Sequence, residues 1–145
     1  MLRWLGPVLL AAAALGAGCG DDDGASVGVT LGEFVVQLDP ATASSGEVTL
    51  DVENAGGETH EVVVVRAASA EALPTDDDGA VDEDAVDPSD AIDEIEDIEA
   101  GDDASLTADL SAATYVVFCN IVEEEDGEVE SHVVEGMHAV LVVSD

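Results

Sequence analysis

The sequence predicts an all-β chain, a β-sandwich of about seven strands broken by an acidic irregular insertion at about 74–103. Three observations carry this. The apolar runs are short and rich in valine, the composition of strands rather than long helices. From Gly46 to Glu53, Val48, Leu50 and Val52 alternate with Glu47, Thr49, Asp51 and Glu53, the period of a strand with one buried and one wet face. Turn residues recur between the runs at the spacing typical of sandwiches.

In order along the chain, residues 1–18 read as an export signal: Arg3, an apolar stretch from Val8 to Leu15, then small residues. The stretch is short for a bilayer span. It ends on Gly16-Ala17-Gly18-Cys19, which resembles the lipobox of bacterial lipoproteins, with Gly16 in place of the usual Leu. That resemblance makes Cys19 the lipidated residue and 19–26 a flexible acidic tether to the membrane. The domain proper then runs over 27–145. Val27 to Leu38 offers two short strands hinged near Gly32, closed by a turn at Asp39-Pro40. After the alternating strand, Asn54-Ala55-Gly56-Gly57 turns the chain, and His60 leads into the run Val62 to Val65, a strand covered on both faces. The economical expectation is an antiparallel hairpin of these two strands. Between Asp76 and Asp103 aspartate and glutamate dominate, and Ile92, Ile95 and Ile98 fall three apart. Either a short helical turn or a strand along the sheet edge accounts for that spacing. Leu106, Ala108 and Leu110 resume the alternation, Tyr115 to Phe118 forms the next strand, and Ala139 to Val143 the last.

The charge narrows the partners. Lys and Arg number 2 against 35 Asp and Glu, a formal net charge of -33. Nucleic acid and anionic lipid both need positive charge on the protein and are therefore poor partners. Self-repulsion of this size is relieved by salt or bound cations. No EF-hand loop is present: aligning Gly24, Gly79 or Gly127 to its central glycine puts Cys19, Pro74 or Val122 at the first ligand position. Serine-hydrolase, zinc-protease and phosphate-loop motifs are also missing, so the chain reads as a non-enzyme.

One stretch does carry chemistry. An apolar run ends on Cys119, a polar acidic segment follows, and then His132 and Met137 precede the last strand. With Cys19 lipidated, Cys119 has no disulfide partner, and a lone thiol outside the cytoplasm is a liability unless buried or metal-bound. Thiolate, imidazole and thioether together suit a soft metal. Each residue alone has a plainer reading: a core cysteine, strand-end histidines, a packing methionine.

Phe34 to Leu38, the Asn54-x-Gly56-x-x-x-His60 turn and the Cys119…His132-x4-Met137 ending together resemble the cupredoxins, Greek-key blue-copper sandwiches of the plastocyanin and sulfocyanin kind. The resemblance implies one type 1 copper ion held by His60, Cys119 and His132, with Met137 as the weak axial ligand. Glu61 and Asn120 follow ligands directly and are the candidates to tie the two ligand segments together. His138 should face away along its strand and is the reserve ligand. The departure from the family is the twelve residues Asn120–Ser131 between Cys119 and His132, where a short loop is usual. A long loop closes at modest entropic cost but predicts a looser, wetter site, and its acids near the metal would favour Cu(II). The expected function is single-electron transfer by a monomer, lipid-anchored outside the cytoplasm, docking through its acidic surface to a basic patch on a redox partner. Copper delivery or storage, and a metal-free surface module of the same shape, are the alternatives.

Overall fold

The structure, a computed structural model, describes residues 24–145; the export signal, Cys19 and most of the tether lie outside them. Eleven strands form: β1 (Ala25–Gly32), β2 (Val35–Asp39), β3 (Thr42–Ser44), β4 (Gly46–Asn54), β5 (His60–Arg66), β6 (Ala91–Ile98), β7 (Asp103–Leu110), β8 (Ala113–Phe118), β9 (Val122–Glu125), β10 (Glu128–Ser131) and β11 (His138–Ser144). Seven of them correspond to the expected strands; β3, β6, β9 and β10 are additional. One sheet has the order β2-β1-β4-β7 and the other β3-β11-β8-β5-β6, with β9 and β10 as a separate hairpin. This is the predicted β-sandwich.

The period of two in β4 does what it implies. Val48, Leu50 and Val52 are buried against Val27, Val29 and Leu31 of β1, which runs parallel to β4, while Glu47, Asp51 and Glu53 stay in water. Each such valine or leucine contributes about 1.5–3 kcal/mol by leaving water. Strand β8 faces these residues with Tyr115 and Val117 and continues the inward alternation to Cys119. Its other face, Val116 and Phe118, belongs to a second apolar cluster outside the sandwich.

The hairpin expected between the alternating strand and the four-valine strand does not form. Strand β4 lies between β1 and β7, whereas β5 lies between β8 and β6 in the opposite sheet, so the turn after Asn54 crosses from one layer to the other. The valines explain the difference. Val62 and Val64 point into the main core, and Val63 and Val65 into the second cluster, a two-sided burial that only a strand with cover on both faces can have.

That outer cover is the acidic segment after β5. Two single-turn 3-10 helices (Ala70–Ala72 and Glu83–Ala85) interrupt it, and Leu73, Val81 and Val86 pin it over Val63, Val65, Val116 and Phe118. Of the two readings for the three-apart isoleucines, the edge strand is the one formed. Strand β6 pairs with β5 through His60↔Ile98, Val62↔Ile95 and Val64↔Asp93, with register shifts that leave extra residues on β6; one of them, Asp97, sits at φ 55°. Such bulges let residues three apart share one face.

Candidate metal centre

Four segments meet at one end of the sandwich. His60 opens β5, Cys119 directly follows β8, His132 directly follows β10 and Met137 precedes β11. All four side chains are fully buried. Backbone bonds fix the approach: the Cys119 N–H donates to the Met137 carbonyl at 3.0 Å, Met137 N–H to His132 at 2.9 Å, and His132 N–H to Ile121 at 3.0 Å.

The twelve-residue segment between Cys119 and His132 is exposed along most of its length but does not open the site to water. It is the β9–β10 hairpin, turned by Asp126 and Gly127 at φ 55° and 83°. Two successive left-handed residues make the tight turn that Asp-Gly favours, and its twist matches the flanking strands. The hairpin projects outward and returns His132 to the end of β8, where no solvent reaches the ring.

Cys119 Sγ lies 3.5 Å from His132 Nδ1 and 3.9 Å from His60 Nδ1. A first-row ion bound at about 2.0–2.3 Å to each would hold these atoms roughly 3.5–4 Å apart, so the spacing suits a shared metal. Burial pushes the Cys119 thiol up to about 11, with the Glu61 and Glu123 carboxylates adding to the shift against opposing backbone hydrogen bonds. Burial first, and then His132, holds His60 below the usual histidine range. The metal-free pair is thus a neutral thiol and a neutral imidazole, and a metal ion must displace the thiol proton to gain the thiolate. Met137 lies in the same apolar cluster as Cys119.

The outer edges of the two imidazoles face carboxylates. His60 Nε2 is 3.8 Å from Glu33 Oε1, and His132 Nε2 is 3.6 Å from Glu123 Oε2; neither nitrogen has a hydrogen-bond partner. Glu33 also accepts the backbone N–H groups of Gly57 and Glu58, so the β1–β2 turn is fastened to the turn before His60. A side chain at Gly56 would collide with that carboxylate. Phe34, at φ 59°, closes the same side by packing its ring edge-on to His132, 5.4 Å between centroids at 86°. Sequence spacing did not single out Glu33, Phe34 or Glu123 as direct neighbours of the histidines: Phe34 entered only as part of the stretch that carries the resemblance, and Glu123 only as one acid of the loop after Cys119.

Glu61 and Asn120 do meet. The Asn120 N–H donates to Glu61 Oε1 at 3.0 Å, joining the segment after His60 to the segment after Cys119. The Asn120 side chain extends the tie outward, accepting from Val81 N–H and donating to the Val81 carbonyl and Glu83. His138 is not brought to the cluster: it pairs with Phe118 across β11–β8 and lines an outer cavity with Glu71 and Val133. Cys19 lies outside the described residues.

Burial drives the Glu61 pKa up to about 7; the Asn120 N–H opposes this, and Glu83, Glu94 and Glu96 reinforce it. A raised carboxyl pKa means that the folded chain holds this proton at pH values where the unfolded chain, near 4.5, has lost it. Its contribution therefore makes stability fall as pH rises from about 4.5 to about 7. Glu61→Gln should flatten that part of the profile in metal-free protein. Urea unfolding of both proteins at several pH values across the window checks this; parallel profiles would rule out Glu61 as the source.

Known structures share this architecture. The chain superposes on a dithionite-reduced auracyanin from the photosynthetic bacterium Roseiflexus castenholzii with TM-score 0.57 and 20% identity, covering 84% of this chain and 100% of that one. Auracyanin B matches with TM-score 0.54 at 21% identity over 83% of this chain and 88% of its own. Auracyanin A, described as a blue copper protein of Chloroflexus aurantiacus, matches with TM-score 0.51 at 20% identity over 81% and 98%. No family profile and no curated protein matches the chain. At this identity the likeness establishes the fold, a cupredoxin β-sandwich.

Proposed function

We propose that this protein uses its cupredoxin β-sandwich to hold one copper ion in a type 1 site and to carry single electrons. The observation that carries the reading is the convergence of Cys119 Sγ with the Nδ1 atoms of His60 and His132 in a solvent-free interior. The donor set fits copper: two imidazoles and a thiolate, with Met137 as a weak fourth donor, satisfy neither Cu(I) nor Cu(II) fully. Bound there, copper would supply a one-electron couple. His60, Cys119 and His132 hold it from three strand ends, and the Glu61–Asn120 bond keeps two of those ends in register. Phe34 and complete burial exclude water. Glu33 and Glu123, facing the two outer nitrogens, place negative charge beside the ligands and so favour Cu(II).

No coordination position is left over for a substrate, which favours a carrier over an enzyme. Glu123 stands beside His132, and Glu124, Glu125, Glu128 and Glu130 extend the same β9–β10 hairpin, a surface complementary to a basic patch on a redox partner. We place the protein outside the cytoplasm as a monomer, attached to the membrane through lipidated Cys19; among the described residues no helix is long and apolar enough to cross a bilayer.

Cu(II) added to the purified protein should give an intense colour from thiolate-to-copper charge transfer at one equivalent. Cys119→Ser should abolish that colour and leave the far-ultraviolet circular dichroism of the sandwich unchanged. A colourless unmodified protein would overturn the copper reading.

A further inference from the structure

The outward edge of His132 presents a second donor set, which uses none of the inward-facing atoms. Its Nε2 is fully buried and has no hydrogen-bond partner. Glu123 Oε2 stands 3.6 Å away, and Glu58 completes a group in which one donor atom from each residue lies within 4.8 Å of the others. We propose that His132 Nε2, Glu58 and Glu123 form a second cation site, for a divalent ion of the zinc class, sharing the His132 ring with the inner centre.

The chemistry selects the ion. One imidazole nitrogen and two carboxylates suit zinc; calcium and magnesium prefer oxygen donors alone, and Cu(I) prefers sulfur. Zinc bound at about 2.0–2.2 Å in a tetrahedron keeps its donors roughly 3.3–3.5 Å apart. Glu123 and His132 are close to that spacing already. Glu58 and Glu123 are both exposed, so their carboxylates are free to swing toward the buried Nε2 and carry the ion to it. Water fills the fourth position. The surrounding chain repels itself at net charge -33, which lowers the cost of gathering a cation here.

The balance of protons follows from the ring. With the inner centre empty, the ring tautomer that has its proton on Nδ1 offers the Nε2 lone pair, and no proton is released on binding. With Nδ1 engaged by a metal, the Nε2 proton leaves to solvent as the second cation takes its place.

Zinc titration of the metal-free protein by calorimetry, in salt high enough to suppress diffuse binding to the acidic surface, tests the site. The unmodified protein should take two equivalents. The Glu58→Gln, Glu123→Gln double variant should take one, and Cys119→Ala should also take one, because it removes the inner donor instead. Thermal unfolding in chelator should be the same for the double variant and the unmodified protein, since both glutamates are exposed. An unchanged stoichiometry in the double variant overturns the outer site. If instead Cys119→Ala still takes two equivalents while the double variant takes one, the outer site stands and the inner donor set is what fails.

Discussion

Asn54→Ala is expected to destabilise the protein by about 2–4 kcal/mol, because it leaves up to three backbone groups without partners. Asn54 is fully buried where the chain passes from the β4 layer to the β5 layer. Its Nδ2 donates at 2.8 Å to the Glu58 carbonyl and at 2.8 Å to the Ile98 carbonyl, and its Oδ1 accepts from Gly56 N–H at 3.0 Å. Alanine removes all three bonds and returns no water to the Ile98 carbonyl, which is buried. Asn54→Asp is not a rescue, since its second oxygen would oppose two carbonyls. Because the turn delivers His60, copper affinity should fall as well, by about 10–100-fold, as for other residues that orient ligands. Urea unfolding of the metal-free variant and copper titration of the folded one measure the two effects. A loss below about 0.5 kcal/mol, the range of an ordinary surface change, would show that Asn54 does not fasten the crossing.

Phe118→Ala should cost about 3–5 kcal/mol, a large share of the 5–15 kcal/mol typical of a domain. Phe118 is completely buried, but not between the sheets. It anchors the outer cluster of Val63, Val65, Leu73, Val81, Val86, Val116 and Val133. The loss should concentrate there, so amides of the acidic segment that hydrogen-bond locally, Asp76 to Ala80 and Asp82 to Pro74, should exchange faster than those of β1 and β4. Uniform acceleration across both sheets would mean that the outer cluster is no separate unit. Cys119, the next residue, faces the opposite way, so copper colour should survive in whatever fraction remains folded.

These two variants mark where sequence reading reaches and where it stops. The alternation of β4 was legible because one buried and one wet face leave a period of two in the residues. The four valines of β5 were legible as a strand covered twice, yet not what covers it: Leu73, Val81 and Val86 sit among aspartates and glutamates with no periodicity. The three-apart isoleucines of β6 mimicked a helical spacing because bulges, which are set by pairing with β5, add residues to one strand. The hairpin after Cys119 carried its own signal in Asp126-Gly127, although the surrounding acids obscured it.

At the metal centre the division is similar. The four donors were visible as residue types in an order: His60, Cys119, His132, Met137. Local sequence could also place Glu61 and Asn120 beside them, because each follows a donor directly. Glu33, Phe34, Glu58 and Glu123 could not be placed, since their positions depend on how the β1–β2 turn and the β9–β10 hairpin close over the histidines.

The sequence by itself determined the seven principal strands, the acidic surface and the inventory of soft donors, all of which follow from local pattern and composition. The tertiary structure decided that β4 and β5 part into different layers, that the long acidic segment is an ordered hairpin, and that both histidines turn Nδ1 toward the Cys119 sulfur and Nε2 toward glutamates. Those are matters of which distant surfaces bury each other, and a local pattern does not encode them.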